Sequence, residues 1–179
     1  SSPWQDNWID EIADPLVEAG WKVEVERGSI NHLIEKARED FAFFLRLLEG
    51  RYISGNRQLV EQLDDELEAL IDKHQDSFLK RLYGSVKARE EQLQNPESWL
   101  EPDLLDNPGG LAYIGSIRLA SRIASHIRCL DDAIFQGYLD RQEVDFLQQA
   151  EKKYTRLISL LQSLDNESTG VLSFEQQEL

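Results

Sequence analysis

A mostly α-helical bundle of five to six helices is the fold class this sequence predicts, with one short strand remnant near residues 21–26. Three observations predict it. Apolar residues recur at three- and four-residue spacing over most of the chain, as they do on amphipathic helices. Residues that favour N-caps stand directly before several of these runs. Only one segment, Trp21-Lys22-Val23-Glu24-Val25-Glu26, alternates apolar with polar residues as a half-buried strand does.

Taken in order, Trp4, Trp8 and Ile9 share a helix face in the polar N-terminal stretch, and Pro15 suits a first helical position or a break. The strand-like segment follows. A single strand is not stable alone, so it must pair; without partner strands in this chain it is a remnant of a sheet or adopts another structure. Ser29 is placed to cap one helix that carries Leu33, Ile34, Ala37, Phe41, Phe44, Leu45 and Leu48 inward and stops at Gly50. Asn56 caps a helix to about Asp72 with Leu59, Leu63, Leu67, Leu70 and Ile71 inward and Glu61, Asp64, Asp65 and Glu68 on an outer acidic face. A further helix runs from about Gln75 to Leu93, burying Phe78, Leu79, Leu82 and Val86.

Residues 95–110 hold Asn95-Pro96, Glu101-Pro102 and Asn107-Pro108-Gly109-Gly110, which break helices. Helix resumes from about Leu111 to Ile127, and a short one follows Asp131 and stops at Gly137. Asp140 and Glu143 form a capping-box pattern that opens the last long helix, with Val144, Leu147, Tyr154, Leu157, Ile158 and Leu161 inward. The domain reading is an appendage over 1–29, a bundle over 30–165 and a tail over 166–179.

Composition limits the partners. Thirty-four acidic residues against 19 Lys and Arg leave a formal charge of −15, which opposes nucleic acid and anionic lipid. No apolar run is long enough to span a membrane, and Ser1 to Asp14 lacks the pattern of a signal peptide. One cysteine, Cys129, makes no internal disulfide and fits a reducing cytoplasm; it reads as a small half-buried residue at a helix end. A chain that neither starts with Met nor contains one reads as a piece of something longer.

The residues offer little catalytic chemistry. His32, His74 and His126 lack partners at metal-ligand spacing, so no metal site is expected. Pro108, Gly109 and Gly110 before a helix could present backbone N–H groups to an anion, although the same residues also make an ordinary turn. Glu24 and Glu26 fall on one side of the strand-like segment, where solvent exposure explains them as well as chemistry does. Asp64-Asp65, Glu90-Glu91 and Asp131-Asp132 read as solvated helix faces.

Several colinear stretches resemble the PII uridylyltransferases, bacterial enzymes of nitrogen signalling, and the related glutamine synthetase adenylyltransferases. They are Leu16 to Val23, Ala37 to Asp40, Leu48 to Asn56, Lys87 to Gln92, Leu100-Glu101-Pro102 with Pro108 to Leu111, Gln136 to Leu139, and Leu172 to Gln177. The resemblance implies contacts near a nucleotide substrate for Arg51, Glu101, Pro108, Gly109, Gly110, Glu24 and Glu26. It also implies a partly buried, carboxylate-paired Arg51, and a groove floored by Pro108-Gly109-Gly110 and lined by Trp99, Glu101 and Tyr113.

The departures matter equally. The family's Gly-rich turn and Ser-Asp-x-Asp strand are absent. The Gly-His-Ser-Val-Arg-Thr segment is replaced by Glu24 to Ser29. Leu105 replaces a Lys, Asp106-Asn107 replace Glu-Gly, and Ala112-Tyr113 replace Arg-Asp. Turn-forming residues survive where polar ones are lost. The resemblance therefore implies a non-catalytic scaffold or partner-binding module, with a protein partner or an adjacent catalytic domain and no cofactor of its own. Mg²⁺ and a nucleoside triphosphate are implied only for an active parent enzyme. The alternatives are the helical part of an active nucleotidyltransferase and an unrelated acidic adaptor.

Overall fold

A computed structural model describes residues 4–20, 23–92, 100–165 and 170–173. Among them are seven helices: α1 (Trp4–Glu18), α2 (Ile30–Glu39), α3 (Phe41–Glu49), α4 (Arg57–Gln92), α5 (Leu111–Ser125), α6 (Leu130–Phe135) and α7 (Arg141–Asp165). The mostly helical class holds, with more helices than the five to six expected. The bundle is organised on α4 and α5: α2 packs on α3 and α4, and α5 also meets α3, α6 and α7.

Two boundaries differ from the periodicity reading. The helix expected from Ser29 to Gly50 is two helices. Ser29 does cap α2, its Oγ accepting from the His32 N–H at 3.2 Å. Asp40, however, adopts extended backbone, and its carboxylate accepts from the Phe43 N–H at 3.1 Å, so it ends α2 and caps α3. An Asp side chain that competes for backbone N–H groups favours such a break over continued helix. The break expected near residue 74 is present within α4: His74 leaves helical backbone geometry (φ −129°, ψ 16°), and two helical segments meet there at a kink. Pro15 sits inside α1 rather than at its start, and the Ala19 N–H still reaches the Pro15 carbonyl at 3.1 Å.

The strand is not formed by the described part of its segment. Residues 23–29 carry no ladder pairing, and Trp21 and Lys22 lie outside the described residues, as do Leu93 and Trp99. The isolated bridge Asp103–Val171 is the sheet-like pairing present among the described residues. It belongs to a return of the C-terminal segment, in which Leu104 N–H donates to Gly170 O at 2.8 Å and Leu172 N–H to Pro102 O at 2.9 Å. Those bonds tie residues 170–172 to the loop before α5.

Phe44, Leu67, Ile71, Ile123 and Val144 are fully buried. The rings of Phe41, Phe44 and Phe78 cluster, with Phe44 and Phe78 centroids 4.2 Å apart. Two expected core residues, Leu59 and Leu157, are exposed instead. The capping box at α7 is realised in both directions: Glu143 N–H donates to Asp140 Oδ1 and Asp140 N–H to Glu143 Oε2, each at 2.8 Å. Cys129 is exposed at the N-cap of α6, not half-buried.

Candidate functional site

A groove of about 760 Å³ lies between α3, α4, α5 and α7. Its walls carry five arginines: Arg46 from α3, Arg89 from α4, Arg118 and Arg122 from α5, and Arg128 from the connection to α6. Glu49, Asp64 and Glu151 also line it, and Leu82, Leu105, Leu111 and Leu119 supply apolar surface.

One end of the groove is an ion network that joins α4 to α5. Arg122 is only 11% exposed at its side chain. It donates to the Leu48 carbonyl in the last turn of α3 and, at 3.3 Å each, to Asp64 and Glu68. Arg128 donates to the same two carboxylates at 3.0 and 3.1 Å. His126 ends α5 in left-handed backbone (φ 56°), with Nδ1 paired to Glu68 and Nε2 3.0 Å from Asp72.

Carboxylates against both ring nitrogens favour the imidazolium. The Glu68 hydrogen bond, with the charges of Glu68 and Asp72, raises the His126 pKa above its ordinary value despite some burial. Burial pushes the Glu68 carboxyl up, but the His126 hydrogen bond and the charges of Arg122, His126 and Arg128 outweigh it, leaving the group below its usual range. Nearby, the kink at His74 precedes Gln75, whose amide donates to the Ile123 and Ala124 carbonyls at 2.9 Å each and so satisfies the end of α5.

This network overturns one sequence expectation. Asp64 and Glu68 were placed on an outer acidic face with Glu61 and Asp65, yet they point at α5 and its arginines. The signal was available. Asp64, Glu68 and Asp72 recur every four residues on α4, and Arg122 and His126 are four apart on α5, so each set forms one stripe.

The sites suggested by sequence are dispersed. Arg51 is exposed and forms no ion pair among the described residues, so its expected burial and carboxylate partner are not realised. Arg122 has both. Glu24 is 3.7 Å from Arg46, and Glu26 binds Lys36, with His32 at 3.7 Å. The Lys36 hydrogen bond holds Glu26 below the usual carboxylate range. The two glutamates therefore serve separate cations. Among the described residues no three His, Cys, Asp or Glu side chains converge as a metal-binding group.

The Pro108-Gly109-Gly110 turn is built as expected, next to the residues that line this groove. Leu105, Leu111 and Ala112 line the groove, whereas Glu101, Pro108, Gly109, Gly110 and Tyr113 do not. Asp103 Oδ1 accepts from the Leu105 and Asp106 N–H groups, and Gly110 N–H donates to Asn107 O at 2.8 Å. Gly109 takes φ 84°. A Cβ on Gly110 would fall 2.8–2.9 Å from the carbonyl oxygens of Leu104, Asn107 and Leu105, so the position admits only glycine without rearrangement.

The fold and groove thus define a helical domain built around an arginine-lined cleft, with no helix among the described residues long and apolar enough to cross a membrane. Residues 77–179 match the GlnD PII-uridylyltransferase family, more than half of the chain, and the chain belongs to that family. Curated relatives agree over a wider span. A bifunctional uridylyltransferase/uridylyl-removing enzyme of Bordetella avium is 30% identical over 94% of this chain and 20% of its own length. Proteins of the same description from Bordetella parapertussis (29%, over 80% of this chain and 17% of the relative) and Neisseria meningitidis (26%, over 87% and 18%) are also similar. The chain spans about one fifth of the length of the curated relatives it matches. No solved structure matches it.

Proposed function

We propose that this chain is a non-catalytic helical module of a uridylyltransferase-type protein, serving as a scaffold that packs against a catalytic domain or a protein partner. The observation that carries the reading is the loop before α5. Its turn-forming backbone is intact at Gly109 and Gly110, while the side chains it presents to the groove are apolar Leu105, Leu111 and Ala112. Backbone geometry needed for packing is retained, and the polar groups that transfer chemistry requires are missing beside it. The separate engagement of Glu24 and Glu26 supports the same reading, because metal-assisted transfer needs carboxylates that converge.

The test is calorimetric titration of the chain with UTP, ATP and CTP, with and without Mg²⁺. The expected result is no Mg²⁺-dependent binding. Saturable binding of UTP that requires Mg²⁺ and is lost on Glu24→Gln or Glu26→Gln would overturn the reading in favour of a surviving catalytic site.

A further inference from the structure

The groove inverts the electrostatics of the molecule. The chain has a formal charge of −15, yet five of its 19 Lys and Arg residues line this one cleft, facing three acidic residues. Two of the five, Arg122 and Arg128, are committed to Asp64 and Glu68, and Arg118 binds Glu151. Arg46 and Arg89 are held more loosely: each forms an ion pair at 3.7 Å, with Glu24 and Asp106 respectively, at a distance beyond hydrogen-bond reach. Arg89 Nη1 is buried without a hydrogen-bond partner, and its guanidinium lies 5.8 Å from the Tyr113 ring centroid, which helps to hold its plane. A guanidinium with unfilled donors beside apolar surface is suited to a tetrahedral or planar anion.

We propose that the groove binds a small phosphate monoester. Its phosphate is held by the groove's guanidinium groups, Arg46 and Arg89 foremost, and its organic body lies on Leu82, Leu105, Leu111 and Leu119. The volume of about 760 Å³ is that of a small-molecule site and exceeds what a bare oxyanion fills. Two loosely paired guanidinium groups match a dianion better than a monocarboxylate. The acidic exterior repels extended polyanions, so the ligand is small enough to lie within the cleft. This inference does not rest on the scaffold reading, because it requires neither Mg²⁺ nor Glu24 and Glu26.

The test is calorimetry on the full chain without Mg²⁺, using phenyl phosphate, inorganic phosphate and benzoate. Phenyl phosphate is expected to bind saturably at one site, tighter than inorganic phosphate because of its ring and tighter than benzoate because of its charge. Arg46→Gln and Arg89→Gln are each expected to weaken it about tenfold, the worth of one charge-assisted hydrogen bond. Arg57→Gln, on an exposed arginine paired with Glu61 outside the groove, leaves binding unchanged. Arg89 packs over Tyr113, so thermal melts accompany both groove variants, and the exposed Arg46→Gln keeps the test valid if Arg89→Gln unfolds. No saturable binding of phenyl phosphate at millimolar concentration, binding indifferent to both groove variants, or benzoate binding as tightly would each overturn the proposal.

Discussion

Replacement of Arg122 by Met isolates the interaction that joins α3, α4 and α5. Methionine keeps most of the aliphatic volume and removes the charge. Three acceptors then lose a donor: the Leu48 carbonyl, Asp64 and Glu68. The carbonyl sits in the last turn of α3, where no later helical N–H can replace the guanidinium. A part-buried acceptor left unsatisfied costs about 1–3 kcal/mol. Asp64 and Glu68 retain Arg128, and Glu68 retains His126, so their loss is smaller, about 1 kcal/mol after solvent screening. The expected destabilisation is about 2–4 kcal/mol.

Urea denaturation read by circular dichroism measures this. With a slope of about 2 kcal/mol per molar, the midpoint should fall by about 1–2 M. A double-mutant cycle with Glu68→Gln should show coupling, because the two side chains touch. Arg51→Met is the contrast. Arg51 is exposed and unpaired among the described residues, so the same exchange should move stability by no more than about 0.5 kcal/mol. Equal effects of the two substitutions, or a loss under about 1 kcal/mol for Arg122→Met, would refute the argument that Arg122 locks the three helices.

Three further outcomes are expected. His126 has a raised folded-state pKa, so its contribution is complete below the unfolded value and is lost as pH rises through the folded one; the stability gap between the protein and His126→Asn, which tolerates left-handed backbone, should shrink from pH 6 to pH 9 in urea titrations. Glu68 has the opposite sign: its contribution is present above its unfolded pKa and disappears as pH falls through the lowered folded value, so Glu68→Gln should differ least from the parent in acid. Gly110→Ala should cost about 1–3 kcal/mol in thermal or urea melts, since its Cβ meets three backbone oxygens that cannot retreat independently.

The helical class was legible because periodicity reports burial on one face, and the caps at Ser29, Asn56 and Asp140 were legible because those side chains accept from nearby backbone N–H groups. What failed was the continuity of elements and the facing of polar stripes. Asp40 sits within an unbroken apolar period from Leu33 to Leu48, and periodicity alone does not register a cap that resets the helix without disturbing its phase. The break near His74, by contrast, was legible, because the apolar pattern lapses between Ile71 and Phe78 where the backbone leaves helical geometry. Resemblance singled out Arg51, in a segment that reads as core, but the burial of a long cationic side chain depends on which helix lies opposite. That information is tertiary.

The same reasoning explains why an acidic chain can hold a cationic groove. On α4 alone, Asp64, Glu68 and Asp72 look like the solvated side of an amphipathic helix. Against α5 they become the counter-ions that make it possible to place Arg122, His126 and Arg128 at the end of the cleft. An arginine as enclosed as Arg122 needs such partners, because an unpaired buried charge costs several kcal/mol. Once those carboxylates are occupied, they do not neutralise Arg46 and Arg89, which have instead the looser 3.7 Å ion pairs with Glu24 and Asp106. The acidic stripe therefore stabilises the bundle and leaves unspent positive charge in the groove. Asp64→Asn should consequently do two separable things: lower stability, and strengthen phenyl phosphate binding by removing a negative charge from the groove wall. Loss of stability with weakened binding would instead mean that the groove's shape, and not its charge, selects the ligand.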